Sequence, residues 1–225
     1  MEKIDLKNSI NLLNMKNLFN EDYYERGQEL GLSGYTDYRW IPDLTIPFAQ
    51  KTIEYLSLKK EDKILEFGCA KGFFVKALRD LGYCSYGVDI SEYAIKNAPK
   101  DVQKYLYHSE EMVEGDRYDW IIAKDVLEHV PHRLLSNQIK EFSKICNKIF
   151  VIVPLGDGEN YIIPEYESDI THYIREDENF WIRKFYKEGF SLKKFDNIVP
   201  GMKDNWAHYE NGNGFFVFEN QKEII

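Results

Sequence analysis

Residues 64 to 75 of the chain read Ile64-Leu65-Glu66-Phe67-Gly68-Cys69-Ala70-Lys71-Gly72-Phe73-Phe74-Val75. This pattern predicts a buried strand, then a turn marked by two glycines, then the first turn of a helix. Asp89 stands 23 positions after Glu66, at the end of a second predicted strand over 85–88. Glycines let a backbone approach a ligand closely, and an acid at this place can accept hydrogen bonds from ribose hydroxyls. The combination is typical of a site for a nucleoside cofactor.

The spacing of the glycines separates the cofactor classes that use such a turn. A dinucleotide fingerprint needs a glycine two residues after the first, but Ala70 stands there. A phosphate-binding P-loop ends in Gly-Lys-Ser/Thr, whereas here Lys71 precedes Gly72 and Phe73 follows it. The pattern therefore disfavours both phosphate-binding motifs.

Three segments resemble the class I S-adenosylmethionine (SAM)-dependent methyltransferases of the small-molecule type. The strand and glycine turn over 64–75 are similar to motif I of that family. Tyr86-Gly87-Val88-Asp89-Ile90-Ser91 is similar to its second motif, and residues 118–131 are similar to its fourth strand and the loop after it. The segments follow the order and spacing of the family. The resemblance spans about residues 43 to 155 and continues more weakly to the end of the chain.

The fold that the resemblance implies agrees with the alternation of predicted strands and helices. We expect an α/β protein with a Rossmann-like, seven-stranded, mostly parallel sheet, helices on both faces and an antiparallel last strand. Residues 1–42 are expected to form a helical N-terminal cap or lid, and residues 43–225 the SAM-dependent methyltransferase domain. Apolar spacing predicts the first helix of that domain over 44–58, with Asp43 as its N-cap.

The resemblance also implies which residues bind SAM. Asp89 would bind both ribose hydroxyls, and Ile90 would pack on the adenine. Ser109 lies where the family commonly contacts the adenine amine, and the glycine turn would pass close to the methionine moiety, helped by Glu66. The full set assigned to the cofactor is Glu66, Phe67, Gly68, Cys69, Ala70, Gly72, Asp89, Ile90, Ser109 and Lys124.

Two later segments carry groups suited to acid–base chemistry. A helical turn over 125–129 would place Asp125, Glu128 and His129 on one face. A long predicted loop over 156–176 carries His172. Both segments follow parallel strands, whose carboxyl ends meet at the ligand-binding edge of such a sheet. The sequence therefore predicts His129 or His172 as the general base that removes a proton from an acceptor hydroxyl or amine.

The same side chains allow a second mechanism. Asp125, Glu128, His129 and His172 could together bind a divalent metal that holds and acidifies the acceptor oxygen. This set resembles the site of metal-dependent RNA 2′-O-methyltransferases, from which the chain departs by carrying Asp125 for the usual Glu. Metal-free methyltransferases that the chain resembles also carry Leu-Glu-His-Val, and there Glu128 and His129 would mainly shape the loop.

Composition limits the partners of the chain. A net charge of −9 disfavours a broad surface for nucleic acid, which needs clustered Lys and Arg. Neither a signal peptide nor an apolar run near the ~20 residues of a membrane span is apparent. Three cysteines do not suggest a disulfide framework. We expect a cytoplasmic protein with reduced thiols, a small-molecule substrate and no nucleic-acid or membrane partner.

The expected function is transfer of a methyl group from SAM to a small polar acceptor, by O-methylation of a sugar or glycan precursor. The preference for a sugar rests on resemblance to small-molecule methyltransferases found with glycan genes. One alternative is a metal-dependent RNA 2′-O-methyltransferase. The other is a non-catalytic protein that only binds SAM.

Overall fold

A seven-stranded sheet runs through the computed structural model, which describes residues 17–109 and 117–222. The strands are β1 (Lys63–Phe67), β2 (Cys84–Asp89), β3 (Leu106–His108), β4 (Tyr118–Lys124), β5 (Cys146–Pro154), β6 (Phe190–Asp196) and β7 (Asn213–Asn220). Their order is β3-β2-β1-β4-β5-β7-β6, and β7 is antiparallel to both of its neighbours. The other pairs are parallel, so the predicted Rossmann-like sheet with an antiparallel last strand is confirmed.

Seven α-helices lie entirely within the described residues, and residues 17–18 are also helical. They are α1 (Glu21–Glu25), α2 (Gly27–Leu30), α3 (Pro42–Leu56), α4 (Phe73–Asp80), α5 (Glu92–Lys96), α6 (His132–Ile145) and α7 (Glu178–Lys187). Short 3-10 helices occur at Gln103–Tyr105, Leu127–His129, Pro164–Ser168 and Asp204–Trp206. None of the helices in the described parts of the chain has both the length and the apolar character to cross a membrane.

The two faces of the sheet carry separate hydrophobic cores. Along β5, Ile149 and Val151 pack in the core that includes residues of α6 and α7. Phe150 and Ile152 point the other way, into the core that includes residues of α3 and α4. Successive side chains of a strand alternate between faces, so a strand covered by helices on both sides must be apolar throughout. The run of β5 is apolar for this reason.

Helix α3 begins earlier than the sequence predicts. It starts at Pro42 with Ile41 as its N-cap, so Asp43 lies in the first turn and is not the cap. Proline suits the first helical position because its fixed φ is already helical and its missing N–H has no partner to lose there. Asp43 still stabilises the helix, since an acid in the first turn interacts favourably with the positive end of the helix dipole.

Residues 17–41 pack beside the carboxyl ends of β1 and β2. Tyr23 and Tyr24 are buried in one cluster with Ala70, which follows β1, and Ala94 of α5. Ser91 Oγ donates a hydrogen bond of 2.6 Å to the carbonyl of Phe19. We call residues 17–41 the cap segment. Residues 1–16 of the predicted cap lie outside the described residues, and the division of the chain at residue 42 stays a prediction.

Candidate active site

A cavity of about 220 Å³ opens where β1, β2 and β4 end. In open α/β sheets ligands bind beyond the carboxyl ends of the strands, at the point where the strand order reverses. Here that point lies between β1 and β4. The cap segment adds Phe19, Tyr23, Tyr24 and Tyr35 to the wall, and α6 adds Leu134 and Gln138. The cavity is therefore a partly covered pocket rather than an open groove.

The glycine turn after β1 is shaped by the protein's own packing. Gly68 and Gly72 have φ of 75° and 69°, and Ala70 shares this left-handed conformation at 48°. A Cβ at Gly68 would overlap the side chain of Val126, and one at Gly72 would overlap Leu106. Both glycines are thus required by the fold itself, beyond any approach to a ligand. Gly68 also lines the cavity.

Asp89 ends β2 and faces the cavity. Its Oδ2 accepts a hydrogen bond of 2.7 Å from the backbone N–H of Ala70, and its Oδ1 accepts one of 2.7 Å from Ser91. Ser91 itself is the N-cap of α5 through Ala94, so Asp89 is not used as a cap. Burial raises the pKa of Asp89, while the two N–H groups oppose this shift. Because each carboxylate oxygen has two acceptor sites, Asp89 can also accept hydrogen bonds from a ligand.

Glu66 on β1 holds a buried oxygen without a partner. The residue is 5% exposed, and no hydrogen bond reaches its Oε2 from the described residues. Burial raises the pKa of Glu66 to about 8, with Lys124 opposing and Asp89 adding to the shift. A buried oxygen without a donor is costly. A donor on a ligand would satisfy it.

The remaining residues assigned to the cofactor fall into two groups. Those that line the cavity together with Asp89 are Phe67, Gly68, Ala70, Ile90 and Ser109. Those outside the lining are Glu66, Cys69, Gly72 and Lys124. Cys69 is buried, which raises the pKa of its thiol. Lys124 pairs with Asp125 at 3.0 Å.

The two predicted catalytic histidines lie side by side, with ring centroids 4.6 Å apart. His129 ends the 3-10 helix after β4 and lines the cavity, whereas His172 lies behind it. His129 Nδ1 is 2.7 Å from Thr171 Oγ1, and His172 Nδ1 is 2.8 Å from the carbonyl of Tyr166. Burial lowers the pKa of both rings, that of His129 to about 4. The ring of His129 is therefore neutral near pH 7.

The carboxylate of Asp125 forms ion pairs with two lysines. It pairs with Lys124 at 3.0 Å and also with Lys203, which in addition donates to Tyr166 Oη at 2.8 Å and to Asn213 Oδ1 at 3.0 Å. Burial alone would raise the pKa of Asp125, but the charges of Lys203 and Lys124 lower it well below its usual range. Sequence reasoning missed Lys203, because no local pattern connects it with a residue 78 positions earlier.

Glu128, His129 and His172 form a compact group. One ligand atom of each lies within 4.8 Å of the others. Glu128 is 1% exposed and keeps Oε2 without a partner among the described residues. Burial, reinforced by the charge of Asp125, raises the pKa of Glu128 well above its usual range. Asp125, the fourth residue of the predicted metal set, is not part of this group.

The fold and the site together are those of a class I SAM-dependent methyltransferase. A family model described as "Methyltransferase domain" matches residues 43–194, and the chain belongs to this family. The predicted family, the enzyme class and SAM as cofactor are thereby confirmed. No curated protein matches the chain in sequence.

Solved structures of methyltransferases share the fold at low identity. The magnesium protoporphyrin IX methyltransferase of Synechocystis PCC 6803 with bound SAH aligns with a TM-score of 0.65 and 15% identity, over 92% of this chain and 99% of its own. A SAM-dependent methyltransferase from Archaeoglobus fulgidus aligns with a TM-score of 0.59 and 16% identity, over 76% of this chain and 92% of its own. The methyltransferase domain of bacterial CtHen1-CN aligns with a TM-score of 0.55 and 19% identity, over 78% of this chain and 99% of its own.

Proposed function

We propose that this methyltransferase O-methylates a small polar acceptor, a sugar or glycan precursor, with His129 as the general base. One observation carries the proposal: a single cavity is lined by Gly68 of the glycine turn, by Asp89 at the end of β2 and by His129. A base must lie within reach of the proton that it removes, and the acceptor must lie beside the methyl donor.

The residues of the turn fit SAM. Asp89 offers free acceptor sites for ribose hydroxyls. Glu66, whose Oε2 has no partner among the described residues but lies outside the cavity lining, would reach the methionine end through a bridging water. Ile90 and Ser109 line the cavity next to Asp89, where the adenine would lie. When bound, SAM supplies an electrophilic methyl group on a sulfonium.

The role of His129 follows from its protonation. Its lowered pKa of about 4 keeps the ring neutral, so one nitrogen is free to accept a proton at physiological pH. With Nδ1 engaged by Thr171, the accepting atom is Nε2. The acceptor hydroxyl gives its proton to Nε2 as its oxygen becomes the ether oxygen of the product. The reaction thus needs no proton transfer to bulk water while the methyl group moves.

The size and charge of the site favour a small acceptor. The cap segment contributes aromatic side chains to the wall, and SAM would fill part of the cavity of about 220 Å³, which leaves little room for a large acceptor. The chain carries a net charge of −9, so a polyanion would be repelled rather than attracted. A small, neutral polyhydroxyl compound is neither too large for the cavity nor repelled by the negative net charge.

The test is a SAM-to-SAH turnover assay with a panel of sugars, nucleotide-linked sugars and short RNA oligonucleotides. We expect turnover with a member of the sugar panel. His129→Ala should lower it by about 100-fold or more and leave the Kd for SAM unchanged. His132→Ala is the matched control, since His132 is exposed at the start of α6. Full activity of His129→Ala would refute the base, and SAM binding without any turnover would favour the non-catalytic alternative.

A metal-assisted reaction is the second candidate, favoured by the compact group of Glu128, His129 and His172. A divalent cation would take up the unpartnered Oε2 of Glu128 and acidify a bound hydroxyl. Mn²⁺ titrated calorimetrically into chelator-treated protein should then bind, and Glu128→Gln should abolish this. Turnover that survives a chelator in full would exclude this candidate, and turnover confined to the RNA oligonucleotides would favour the RNA alternative.

A further inference from the structure

A chain of hydrogen bonds leads from the catalytic pocket to the cap segment. His129 Nδ1 is 2.7 Å from Thr171 Oγ1, which in turn is 2.5 Å from Asp169 Oδ1. The backbone N–H of Thr171 donates to the same Oδ1 at 2.9 Å. On the far side, the hydroxyl of Tyr23 donates to Asp169 Oδ2 at 2.7 Å. Tyr23, Asp169 and Thr171 are all buried, with exposed fractions of 3%, 8% and 1%.

The carboxylate of Asp169 determines which group donates in each of these hydrogen bonds. A carboxylate only accepts, so Thr171 must donate its single hydroxyl proton to Asp169. The Thr171 oxygen is then an acceptor for His129, and the proton of the neutral imidazole must sit on Nδ1. Nε2 is left with its lone pair. A neutral ring with its proton on Nε2 could not act as a base at that atom.

We propose that Asp169 and Thr171 are positioning residues, which hold His129 in the tautomer that presents a basic Nε2, and that Tyr23 completes this chain from the cap segment. The inference deepens the proposed function and rests on the base role of His129 there. The three residues come from separate parts of the molecule: Tyr23 from α1, Asp169 and Thr171 from the segment between β5 and α7. The ring is fully oriented only when the cap segment is packed in place.

A purely structural reading of the same hydrogen bonds predicts different behaviour. Buried polar groups need partners whether or not they serve a reaction, so loss of one would lower the stability alone. A positioning role predicts in addition a shift of the ring proton and a loss of turnover without a loss of SAM affinity. Thr171→Val removes the hydroxyl at nearly constant shape, and Thr171→Ser keeps it.

The tautomer can be read directly by ¹⁵N NMR of histidine-labelled, chelator-treated protein without SAM. The chain has five histidines, and the signals of His129 are identified by their loss in His129→Asn. We expect a protonated Nδ1 and an unprotonated Nε2 in the wild type and in Thr171→Ser, and a proton at least partly on Nε2 in Thr171→Val. A wild-type ring protonated on Nε2 overturns the inference, even if neither Thr171 variant folds. An unchanged tautomer in Thr171→Val also overturns it.

Kinetics separate the inference from the proposed function. Thr171→Val should lower kcat by about 10- to 100-fold, by analogy with the loss seen when hydrogen-bond partners that orient metal-ligating histidines are removed. The Kd for SAM and the KM for the acceptor should stay within about twofold, and Thr171→Ser should restore kcat. If the tautomer shifts in Thr171→Val while kcat does not fall, the positioning chain stands and the base role of His129 fails.

Discussion

The carboxylate of Asp89 is held by two backbone N–H groups, those of Ala70 and Ser91, rather than by a cationic side chain. We therefore expect Asp89→Ala to weaken SAM binding by about tenfold or more, because a charge-assisted hydrogen bond contributes about 1.5–3 kcal/mol. Isothermal calorimetry measures the Kd. Asp119→Ala is the control, since Asp119 is exposed on β4 and accepts from the N–H of Lys63. Equal affinities of the two variants would contradict the ribose role of Asp89.

Glu66 should make the cofactor-free protein less stable at alkaline pH. Its pKa is about 8 in the folded chain and 4.5 without burial. A raised pKa means that the folded state binds the extra proton, so stability is retained at low pH and lost as the pH rises through 8. Glu66→Gln, which mimics the protonated acid, should unfold at a higher temperature than the wild type at pH 9. At pH 5 the unfolding temperatures of Glu66→Gln and the wild type should differ much less. A difference in unfolding temperature that does not depend on pH would contradict the raised pKa of Glu66.

Among the secondary-structure elements, the sequence predicts the bounds of β1 but not the start of α3. The apolar run bounded by turn residues predicts β1 over 63–67, and the strand has those bounds. The start of α3 differs from the prediction, because Asp43 and Pro42 both favour a helix start and the helix begins at Pro42. The turn over 125–129 was predicted correctly in part: residues 127–129 are helical, but Asp125 has left-handed φ and turns to its lysines.

The cap segment is attached to the cofactor turn by Lys71, whose Nζ donates to Glu25 and, at 2.7 Å, to the carbonyl of Tyr38. Lys71→Met should loosen this attachment. Hydrogen exchange should then accelerate about tenfold at the amides of Asp37 and Tyr38, which donate to the carbonyls of Glu25 and Tyr24.

The matched control for this prediction is Lys76→Met in the following helix. Lys76 forms ion pairs with the surface acids Asp80 and Asp101, and its Nζ lies 5.6 Å from the ring centre of Trp40, beyond the residues 21–38 in which exchange is measured. Exchange within residues 21–38 should stay at the wild-type rate in this variant. If both variants accelerate exchange equally, Lys71 has no special role in holding the cap segment.

At the scale of the whole molecule, the candidate site joins residues that are far apart in sequence. The strand order brings the ends of β1, β2 and β4 together, and this much follows from the motifs alone. The contacts of Tyr23 with Asp169 and of Asp125 with Lys203 span 146 and 78 positions. No spacing rule connects such pairs, because they form only when a cap or a loop packs on the sheet. The sequence therefore predicts which strand ends meet at the cavity, and it does not predict the side chains that surround His129.

Because the cofactor pocket joins the cap segment to the ends of three strands, SAM should stabilise the molecule as a whole. A ligand at 100 times its Kd adds about 2.7 kcal/mol to the free energy of unfolding. In a chain of 225 residues this should raise Tm by about 5–10 °C in a thermal melt. NAD⁺ at the same concentration should leave Tm unchanged, since Ala70 replaces the second glycine of a dinucleotide turn. A shift with NAD⁺ that equals the shift with SAM would show that the turn does not select its cofactor.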